Sequence, residues 1–396
     1  MTTNTHDRPR FCVLGAGHGG TAMAAYLALM GYPTSLYNRS EDRLTPMKLL
    51  GGIELIVPEG DAVPHGTAQL NCITTDPAEA LQDVDILMVA VPANGHRFMA
   101  EMCAPHLRDG QIIVLNPGRT GGALEFYHVL RQHKVTADVI VAEAQTFIYA
   151  SRCINPAQVQ IFRVKNTIPV AALPAYRTPE VIKALHDAFP QFVPGDNVIK
   201  TSLDNIGAVF HPAVTVLNSA RIESTHGEFE FYIDGVTESV SHVLETIDAE
   251  RVAVAAAMGF NAITARQWLY VAYDAAGDTL HHAMRANPGY YGIKGPRRVD
   301  HRYLNEDVPM SLVPITSLGE MLGVETPTIR TIIHLACLLN QCDYWAEGRT
   351  AERLGLAGLT LKQIRQLVLE GLPAVRRRGA ARKGARKGAR PRRRSR

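Results

Sequence analysis

Cysteine is scarce in this 396-residue chain, and its six cysteines are scattered without a CxxC pair. This spacing argues against a disulfide framework and a zinc site, so we expect no metal and reduced thiols. Long hydrophobic runs are also missing, and none reaches the roughly 18 apolar residues of a membrane span. The first ten residues lack the apolar segment of a secretory signal. The sequence therefore predicts a cytoplasmic protein without a membrane partner.

Acidic residues are absent from the C-terminal end, where 12 of the 41 Lys and Arg lie between Arg376 and Arg396. The rest of the chain contains 29 Lys and Arg and 38 Asp and Glu, so it carries a net charge of −9. This basic segment has no large apolar side chain, and we expect residues 373–396 to form a disordered tail. Such a tail attracts anionic surfaces nonspecifically, and we expect no specific nucleic-acid partner.

Short apolar runs alternate with helical patterns between residues 10 and 200, after an N-terminus at 1–9 that we expect to be flexible. This alternation predicts a parallel α/β sheet, and "VQIFRV" with "TIPVAAL" predicts a closing β-hairpin. Strand signals stop near residue 200, and four long helical patterns follow. We therefore predict an α/β domain at 10–200 and an all-helical domain at 201–372.

The first predicted strand runs into "GAGHGG", where Gly15, Gly17 and Gly20 fit G-x-G-x-x-G. In this motif the glycines allow a tight turn, a close approach to a pyrophosphate, and close packing of helix on strand. The motif lies between a strand and a helix, which makes it specific. It predicts a Rossmann-type, doubly wound parallel sheet that binds a dinucleotide through the glycines and their neighbours His18 and Gly19.

The second predicted strand ends in "LYNRS", with Asn38 where NAD-binding sites usually carry an acid. Without a carboxylate, nothing there repels the 2′-phosphate of NADP(H). Arg39 can pair with that phosphate and Ser40 can donate a hydrogen bond to it. The sequence therefore predicts a preference for NADP(H), and NAD(H) stays open.

Three further strand ends should face the ligand, because ligands of open parallel sheets bind at the carboxyl ends of strands. "VAVPANGH" predicts a nicotinamide contact by Val91, Pro92 and Ala93. "LNPGRTGGALEF" places Asn116 in a glycine-rich loop where a substrate can approach the backbone. "VAEAQTFIYASR" places Glu143 at a strand end, either as a solvated or paired acid or as a partner for a substrate ammonium or guanidinium.

The stretch "DNIGAVFHPAVTVLNSARIE", residues 204–223, reads as one apolar helix with Ile206, Phe210, Val214 and Leu217 on one face. His211 lies inside it, directly before Pro212, which should disrupt the helix. A histidine in an apolar helix is most often a core residue, so this stretch alone does not assign it a function. Downstream, "RRVDHRYLNEDVPMSLVPI" is dense in charge yet ends in apolar residues, which indicates a partly packed segment.

Five stretches together resemble the opine dehydrogenases, the octopine/nopaline dehydrogenase family: "GAGHGGTAMAAYLA", "LNPGRTGGALEF", "AEAQTFIYASR", "HPAVTVLNSARIE" and "HRYLNEDVP". That family couples an α-amino acid to an α-keto acid and reduces the resulting imine with NAD(P)H. The resemblance implies that His211 is a catalytic histidine paired with Asp307. It further implies that Arg302 binds a substrate carboxylate and that His211 faces a cleft between the domains.

Other functions stay open from the sequence. A reductase that acts on a keto acid alone, similar to ketopantoate reductases, would rely on a lysine of the helical domain, and Lys294 is the candidate. A non-enzymatic NADP(H) sensor would use the basic tail to reach nucleic acid. Pyruvate, oxaloacetate and 2-oxoglutarate are all candidates for the keto acid. The apolar helices after Thr326 would either cover the core or form a homodimer face.

Overall fold

The computed structural model describes residues 8–58 and 63–371. The predicted disordered tail lies outside the described residues, as do residues 1–7 of the predicted flexible N-terminus. Arg8, which is described, lies over the ring of Tyr32. The strands are β1 (Phe11–Leu14), β2 (Thr34–Tyr37), β3 (Ile53–Ile56), β4 (Gly66–Ala68), β5 (Cys72–Thr74), β6 (Ile86–Val89), β7 (Ile112–Leu115), β8 (Ile140–Ala144), β9 (Tyr149–Asn155), β10 (Gln158–Val164), β11 (Ile168–Leu173) and β12 (Phe192–Pro194).

The helices of the first half are α1 (His18–Leu29), α2 (Thr45–Leu49), α3 (Pro77–Ala80), α4 (His96–Cys103), α5 (Gly122–Gln132) and α6 (Thr178–Leu185). Those of the second half are α7 (Val198–Leu203), α8 (Gly207–Leu217), α9 (Ser219–Thr225), α10 (Glu238–Ala257), α11 (Ala265–Tyr273), α12 (Leu280–Arg285), α13 (Arg302–Asn305), α14 (Val313–Leu322), α15 (Pro327–Asn340), α16 (Tyr344–Glu347) and α17 (Leu361–Glu370). A π-helical turn at Val308–Leu312 links α13 to α14.

The main sheet has the strand order β12-β11-β8-β7-β6-β1-β2-β5. Its strands pair in parallel except where β11 runs antiparallel to β8. From β1 the chain adds strands towards one edge of the sheet, and from β6 onward it adds them towards the other edge. The helices that connect the strands on these two sides therefore cover opposite faces of the sheet. The predicted doubly wound α/β sheet followed by helices is confirmed. Its switch point at β1 and β6 is where such sheets bind ligands.

The predicted hairpin of "VQIFRV" with "TIPVAAL" is wrong. β10, which contains the first stretch, pairs antiparallel with β9 and parallel with β3 in a second sheet of order β4-β3-β10-β9. β11, which contains the second stretch, joins the main sheet between β8 and β12. The two strands are neighbours in sequence, but each completes a different sheet. The second sheet packs against α1, the helix that follows the glycine turn.

The predicted helix at 204–223 is divided in two. α8 runs uninterrupted through Pro212, and the division from α9 falls at Asn218. Pro212 therefore does not break the helix, although its missing N–H removes one backbone hydrogen bond. Phe210 and Val214 are buried as predicted, whereas Leu217 is 42% exposed because it lies at the helix end.

The helical region shares one hydrophobic core with a face of the main sheet. That core joins Leu87 and Leu115 of the sheet to Val214 and Leu244 of the helices without interruption. α15 buries Ile329 and Ile333 against this core and leaves Leu338 61% exposed, so the homodimer stays a prediction. All six cysteines are free thiols. Among the helices in the described ranges, none is long and apolar enough to cross a membrane.

Candidate active site

The glycine turn lies at the switch point of the main sheet. Gly15 has a φ of +115°, and a Cβ there would lie 2.6 Å from Cγ1 of Val91, at the end of β6. A side chain at Gly20 would collide with the carbonyl oxygen of Gly15. Gly17 instead faces open space, with no described atom within 4 Å of an added Cβ. The turn and the first amides of α1 thus leave room for a pyrophosphate, as a dinucleotide site requires.

The second sheet is attached to this turn. The backbone N–H of Cys153 donates to Nδ1 of His18 at 2.9 Å. The ring of Phe147 packs on Gly19, where a Cβ would lie 2.5 Å away. Burial lowers the pKa of His18, and the charges of Arg152 and Arg43 lower it further. His18 is therefore neutral in a basic environment that suits cofactor phosphates.

The end of β2 supports the turn and exposes polar groups beside it. Oδ1 of Asn38 accepts a hydrogen bond from the backbone N–H of Ala16 at 3.1 Å, and its Nδ2 donates to the carbonyl of Ser40. Arg39 is exposed and lies over the ring of Phe98, 5.6 Å from the ring centroid. Asn38 is thus engaged within the protein, while the side chains of Arg39 and Ser40 are accessible.

The loop after β6 is held from the helical domain. Val91 is half-buried, Pro92 is exposed and Ala93 is buried. The backbone N–H of Ala93 donates to Oε1 of Glu306 at 3.2 Å, and its carbonyl accepts from Nη2 of Arg349 at 2.9 Å. The loop predicted to contact the nicotinamide therefore has its position set by two side chains of the helical domain.

The partly exposed His211 pairs with the buried Asp307. The fully buried carboxylate of Asp307 accepts from Nδ1 of His211 at 2.8 Å, and Nη1 of Arg119 lies 3.3 Å from its other oxygen. Burial alone would raise the pKa of Asp307, but the charges of Arg119 and His211 outweigh it and lower that pKa. Asp307 is therefore ionised and fixes the tautomer in which Nδ1 of His211 carries a proton.

Two tyrosines enclose the imidazole of His211. The ring of Tyr303 stacks on it with centroids 4.4 Å apart. The hydroxyl of Tyr232 lies 3.1 Å from Nε2, the nitrogen that Asp307 does not use. Burial raises the pKa of Tyr232 well above its ordinary value, so this hydroxyl keeps its proton and donates to Nε2.

Arg302 is brought to the same place by Glu306. Nε and Nη2 of Arg302 donate to Oε2 of Glu306 at 2.9 and 2.7 Å. The other oxygen of Glu306 accepts from Nε of Arg119 at 3.4 Å. Glu306 is buried, whereas the side chain of Arg302 is 56% exposed. One edge of the Arg302 guanidinium is thus fixed within the protein, and the rest of it faces outward.

Sequence reasoning missed Arg119, Glu306 and Arg349. Arg119 lies in the loop "LNPGRTGG", whose glycines and Asn116 are its recognisable sequence signal. Arg349 is fully buried and donates to Oε2 of Glu125 at 2.7 Å and to Nδ1 of His96 at 2.8 Å. It also donates to carbonyls of the glycine-rich loop, at Gly118 and Thr120.

Asn116 and Glu143 are both buried, and the structure does not bring Glu143 to the surface of the cleft. One oxygen of Glu143 accepts from the N–H of Ala123, and the other from the hydroxyls of Thr201 and Ser202. Because these partners occupy both oxygens, Glu143 has little capacity to bind a substrate ammonium and is not part of the proposed substrate site. Asn116 donates to the carbonyl of Val114, and its buried Oδ1 has no partner among the described residues.

Lys294, the candidate of the keto-acid reductase alternative, lies outside this cluster. Its ammonium is exposed, 3.7 Å from the carboxylate of Glu228. Within the described ranges, no group of three His, Cys, Asp or Glu side chains converges to hold a metal ion.

A glycine turn at a sheet switch point, facing a helical domain in which a histidine pairs with a buried aspartate, defines a two-domain, nicotinamide-dinucleotide-dependent dehydrogenase. Residues 194–340 match the family described as NAD/NADP octopine/nopaline dehydrogenase, alpha-helical domain. Residues 10–118 match the NAD-dependent glycerol-3-phosphate dehydrogenase N-terminus. The chain is 38% identical over 358 residues to an opine dehydrogenase of Arthrobacter sp. (strain 1C), covering 90% of this chain and 98% of the relative. The chain therefore belongs to the opine dehydrogenase family.

Solved structures show the same fold. Octopine dehydrogenase in complex with NADH and agmatine aligns with a TM-score of 0.76 at 22% identity, over 90% of this chain and 97% of that one. Yersinopine dehydrogenase with NADP⁺ bound aligns with a TM-score of 0.71 at 16% identity, over 92% and 99%. The expected family, an oxidoreductase that uses a nicotinamide dinucleotide, is confirmed.

Proposed function

We propose that this protein catalyses the NADPH-dependent reductive condensation of an L-amino acid with an α-keto acid, and the reverse oxidation. The observation that carries the proposal is the pair of the partly exposed His211 with the buried Asp307, set between Arg119 and the outward-facing Arg302. Glu306 joins this group to Ala93 beside the cofactor crevice. An acid–base group, a carboxylate clamp and a dinucleotide site thus lie together between the domains.

His211 is the proposed acid–base catalyst. Condensation of an amine with a carbonyl requires a proton to leave the ammonium and a proton to reach the oxygen that departs as water. A histidine exchanges protons near neutral pH, and the ionised Asp307 stabilises its charged form. Nε2 is the atom that exchanges protons with substrate, because Nδ1 donates to Asp307. The bound nicotinamide supplies the hydride that reduces the imine.

Arg302 is the proposed clamp for the carboxylate of the α-keto acid. A planar guanidinium binds a carboxylate through two parallel hydrogen bonds and so fixes its orientation. Glu306 holds the Nε and Nη2 atoms of Arg302 and sets the direction in which the guanidinium points. A fixed carboxylate places the neighbouring carbonyl carbon for hydride attack.

Arg39 and Ser40 are the proposed determinants of NADP(H) preference. Both are exposed beside the glycine turn, and the acid expected of an NAD site is replaced by Asn38. Asn38 holds the turn through the Ala16 N–H, so it supports the site rather than repelling a phosphate. Octopine dehydrogenase binds NADH and yersinopine dehydrogenase binds NADP⁺, so the fold accommodates both cofactors. The proposed preference for NADP(H) therefore rests on Arg39.

The test is NADPH oxidation by purified protein across a grid of L-amino acids and α-keto acids, with pyruvate, oxaloacetate and 2-oxoglutarate as the acids. Each substrate alone and ammonium serve as controls. The proposal predicts consumption only when an amino acid and a keto acid are both present. NADPH consumption with a keto acid alone would show that the protein is a simple keto-acid reductase instead. Cofactor binding without any turnover would favour a sensor.

A further inference from the structure

Lys165 is a further cationic residue of the site. It lies on the sheet-domain side of the cleft, and the proposed mechanism does not use it. It lies in the turn between β10 and β11, and its ammonium donates to Oγ1 of Thr146 at 2.6 Å. Its backbone N–H donates to the carbonyl of Ile148 at 3.0 Å, which fixes the turn against the segment after β8. The side chain is partly buried. Within residues 8–58 and 63–371, the lysines that pair with a carboxylate within 4 Å are Lys48, Lys200 and Lys294, and Lys165 is not among them.

Lys165 lies just before β11, at the edge of the main sheet where β8 ends, which is the edge that carries the ligand-facing ends of the parallel strands. Thr146, its hydrogen-bond partner, precedes Phe147, the residue whose ring packs on Gly19 of the glycine turn. Burial lowers the pKa of Lys165 to about 8, and the charge of Arg119 adds to this effect. Arg119 itself lies 3.3 Å from Asp307, the partner of His211.

A desolvated ammonium near another cation is unfavourable unless an anion neutralises it. The protein supplies that anion to Arg119, through Asp307 and Glu306, and to Arg302, through Glu306. It supplies none to Lys165 among the described residues. The product of the proposed reaction is a secondary amine with two carboxylates, and Arg302 binds only one of them.

We propose that Lys165, held by Thr146, binds the α-carboxylate of the amino-acid substrate. This inference rests on the proposed function. The two substrate carboxylates are then held from opposite sides of the cleft, by Arg302 of the helical domain and by Lys165 of the sheet domain. The amine nitrogen lies between them, within the reach of His211. The enzyme would recognise an amino acid by its carboxylate rather than through Glu143, whose oxygens are occupied.

The first experiment compares amino acids with the amines that lack their carboxylate. L-Alanine and ethylamine, L-norvaline and butylamine, L-phenylalanine and phenethylamine, and L-arginine and agmatine are assayed with pyruvate and NADPH. Lys165→Met should lower kcat/KM for the amino acids by about 10- to 100-fold, the effect of losing a charged hydrogen bond. It should leave kcat/KM for the amines and the KM for pyruvate nearly unchanged. Lys165→Arg, which keeps the charge, should retain part of the preference.

Lys183→Met is the matched control, because this lysine is exposed on α6. It should behave as the unsubstituted protein with every substrate. Equal losses for amino acids and amines in Lys165→Met would show that the lysine only supports the fold, which overturns the inference.

A binding experiment separates this inference from the proposed function. Calorimetric titration of the NADP⁺-loaded protein with each amino acid, without keto acid, requires no turnover. Amino-acid binding that Lys165→Met abolishes, in a protein without condensation activity, would support the lysine site and refute the reaction. Condensation activity whose amino-acid preference survives in Lys165→Met would refute the lysine site and leave the reaction standing. Failure of the unsubstituted protein to bind any of the four amino acids would also overturn the inference.

Discussion

The hydroxyl of Tyr232 lies 3.1 Å from Nε2 of His211, the atom to which the proposed mechanism assigns the proton exchange. Nε2 of the imidazole accepts this hydrogen bond while its Nδ1 donates to Asp307. The imidazole is thus oriented from both nitrogens. A substrate that exchanges a proton with Nε2 must share this position with Tyr232 or displace it.

Tyr232→Phe should therefore lower kcat by about tenfold through loss of one orienting hydrogen bond, with little change in either substrate KM. Steady-state kinetics with both substrates varied would measure this. Tyr290→Phe is the matched control, since its ring stacks on Tyr232 with centroids 4.2 Å apart. Equal effects of the two substitutions would show that the loss comes from removing a hydroxyl anywhere in this tyrosine cluster and not from the hydrogen bond to Nε2.

His211→Ala should reduce turnover by about a hundredfold or more, the usual contribution of a general acid–base group. The affinity for NADPH should stay nearly constant, because His211 lies in α8 of the helical domain and not in the glycine turn. Single-turnover kinetics and fluorescence titration of NADPH would test both points. His242→Ala, at a side chain that is 87% exposed, provides the comparison. Turnover near that of the unsubstituted protein would refute the catalytic role.

Arg302→Ala should raise the KM for the keto acid by about tenfold or more, since the clamp contributes a bidentate, charge-assisted contact. The KM for the amino acid should change much less. Arg298→Ala is the control, because that side chain is nearby in sequence and 79% exposed. An unchanged KM for the keto acid would place the carboxylate clamp on another residue.

Arg39→Ala should weaken NADPH binding by about tenfold and leave NADH binding almost unaltered, because only NADPH carries the 2′-phosphate. Dissociation constants for both cofactors would be measured by titration. Arg131→Ala removes another exposed arginine that lies over an aromatic ring and should change neither constant. Equal weakening of both cofactors by Arg39→Ala would contradict the 2′-phosphate contact.

His96 should make the protein less stable in mild acid. Burial, with the charge of Arg349, lowers the pKa of His96 well below its ordinary value of 6.5. Below pH 6.5 the unfolded chain binds a proton at this histidine and the folded protein does not. The free energy of unfolding should therefore fall by about 1.4 kcal/mol per pH unit from this group.

Urea unfolding at pH 7.5, 6.5 and 5.5 would measure that slope. His96→Gln keeps an acceptor for Arg349 but does not titrate, so its unfolding free energy should fall less steeply below pH 6.5. Parallel slopes for the two proteins would show that His96 is not the responsible group.

Much of the main sheet was predictable from the sequence, because β1, β2, β6, β7 and β8 are short apolar runs that precede helices or turns. The second sheet was not, since β4 and β9 carry exposed and polar residues that resemble loops. The strands with which β10 and β11 each pair could not be predicted either. Adjacent strands suggest a hairpin, and only the distant partners β3 and β8 decide otherwise.

The site residues divide in the same way. The glycine turn and the residues after β2 follow from a local motif, and His211, Asp307 and Arg302 were named through the family resemblance. Glu306 and Arg119 contact each other across 187 positions of sequence, and no local pattern indicates such a pair. Glu143 looked accessible at a strand end, yet α5 and α7 cover it with three hydrogen-bond donors.

The late position of Arg349 in the sequence affects when the nucleotide-binding loops become ordered during synthesis of the chain. Its guanidinium pairs with Glu125, which precedes it by 224 residues, and fills the space between the loops after β6 and β7. A ribosome releases the strands of the nucleotide domain long before it adds this arginine. The emerging sheet therefore has its two ligand-facing loops unsupported until the last helices are synthesised. The two loops that face the nicotinamide and substrate thus take their final positions late in synthesis, together with the helical domain, although the glycine turn is complete long before.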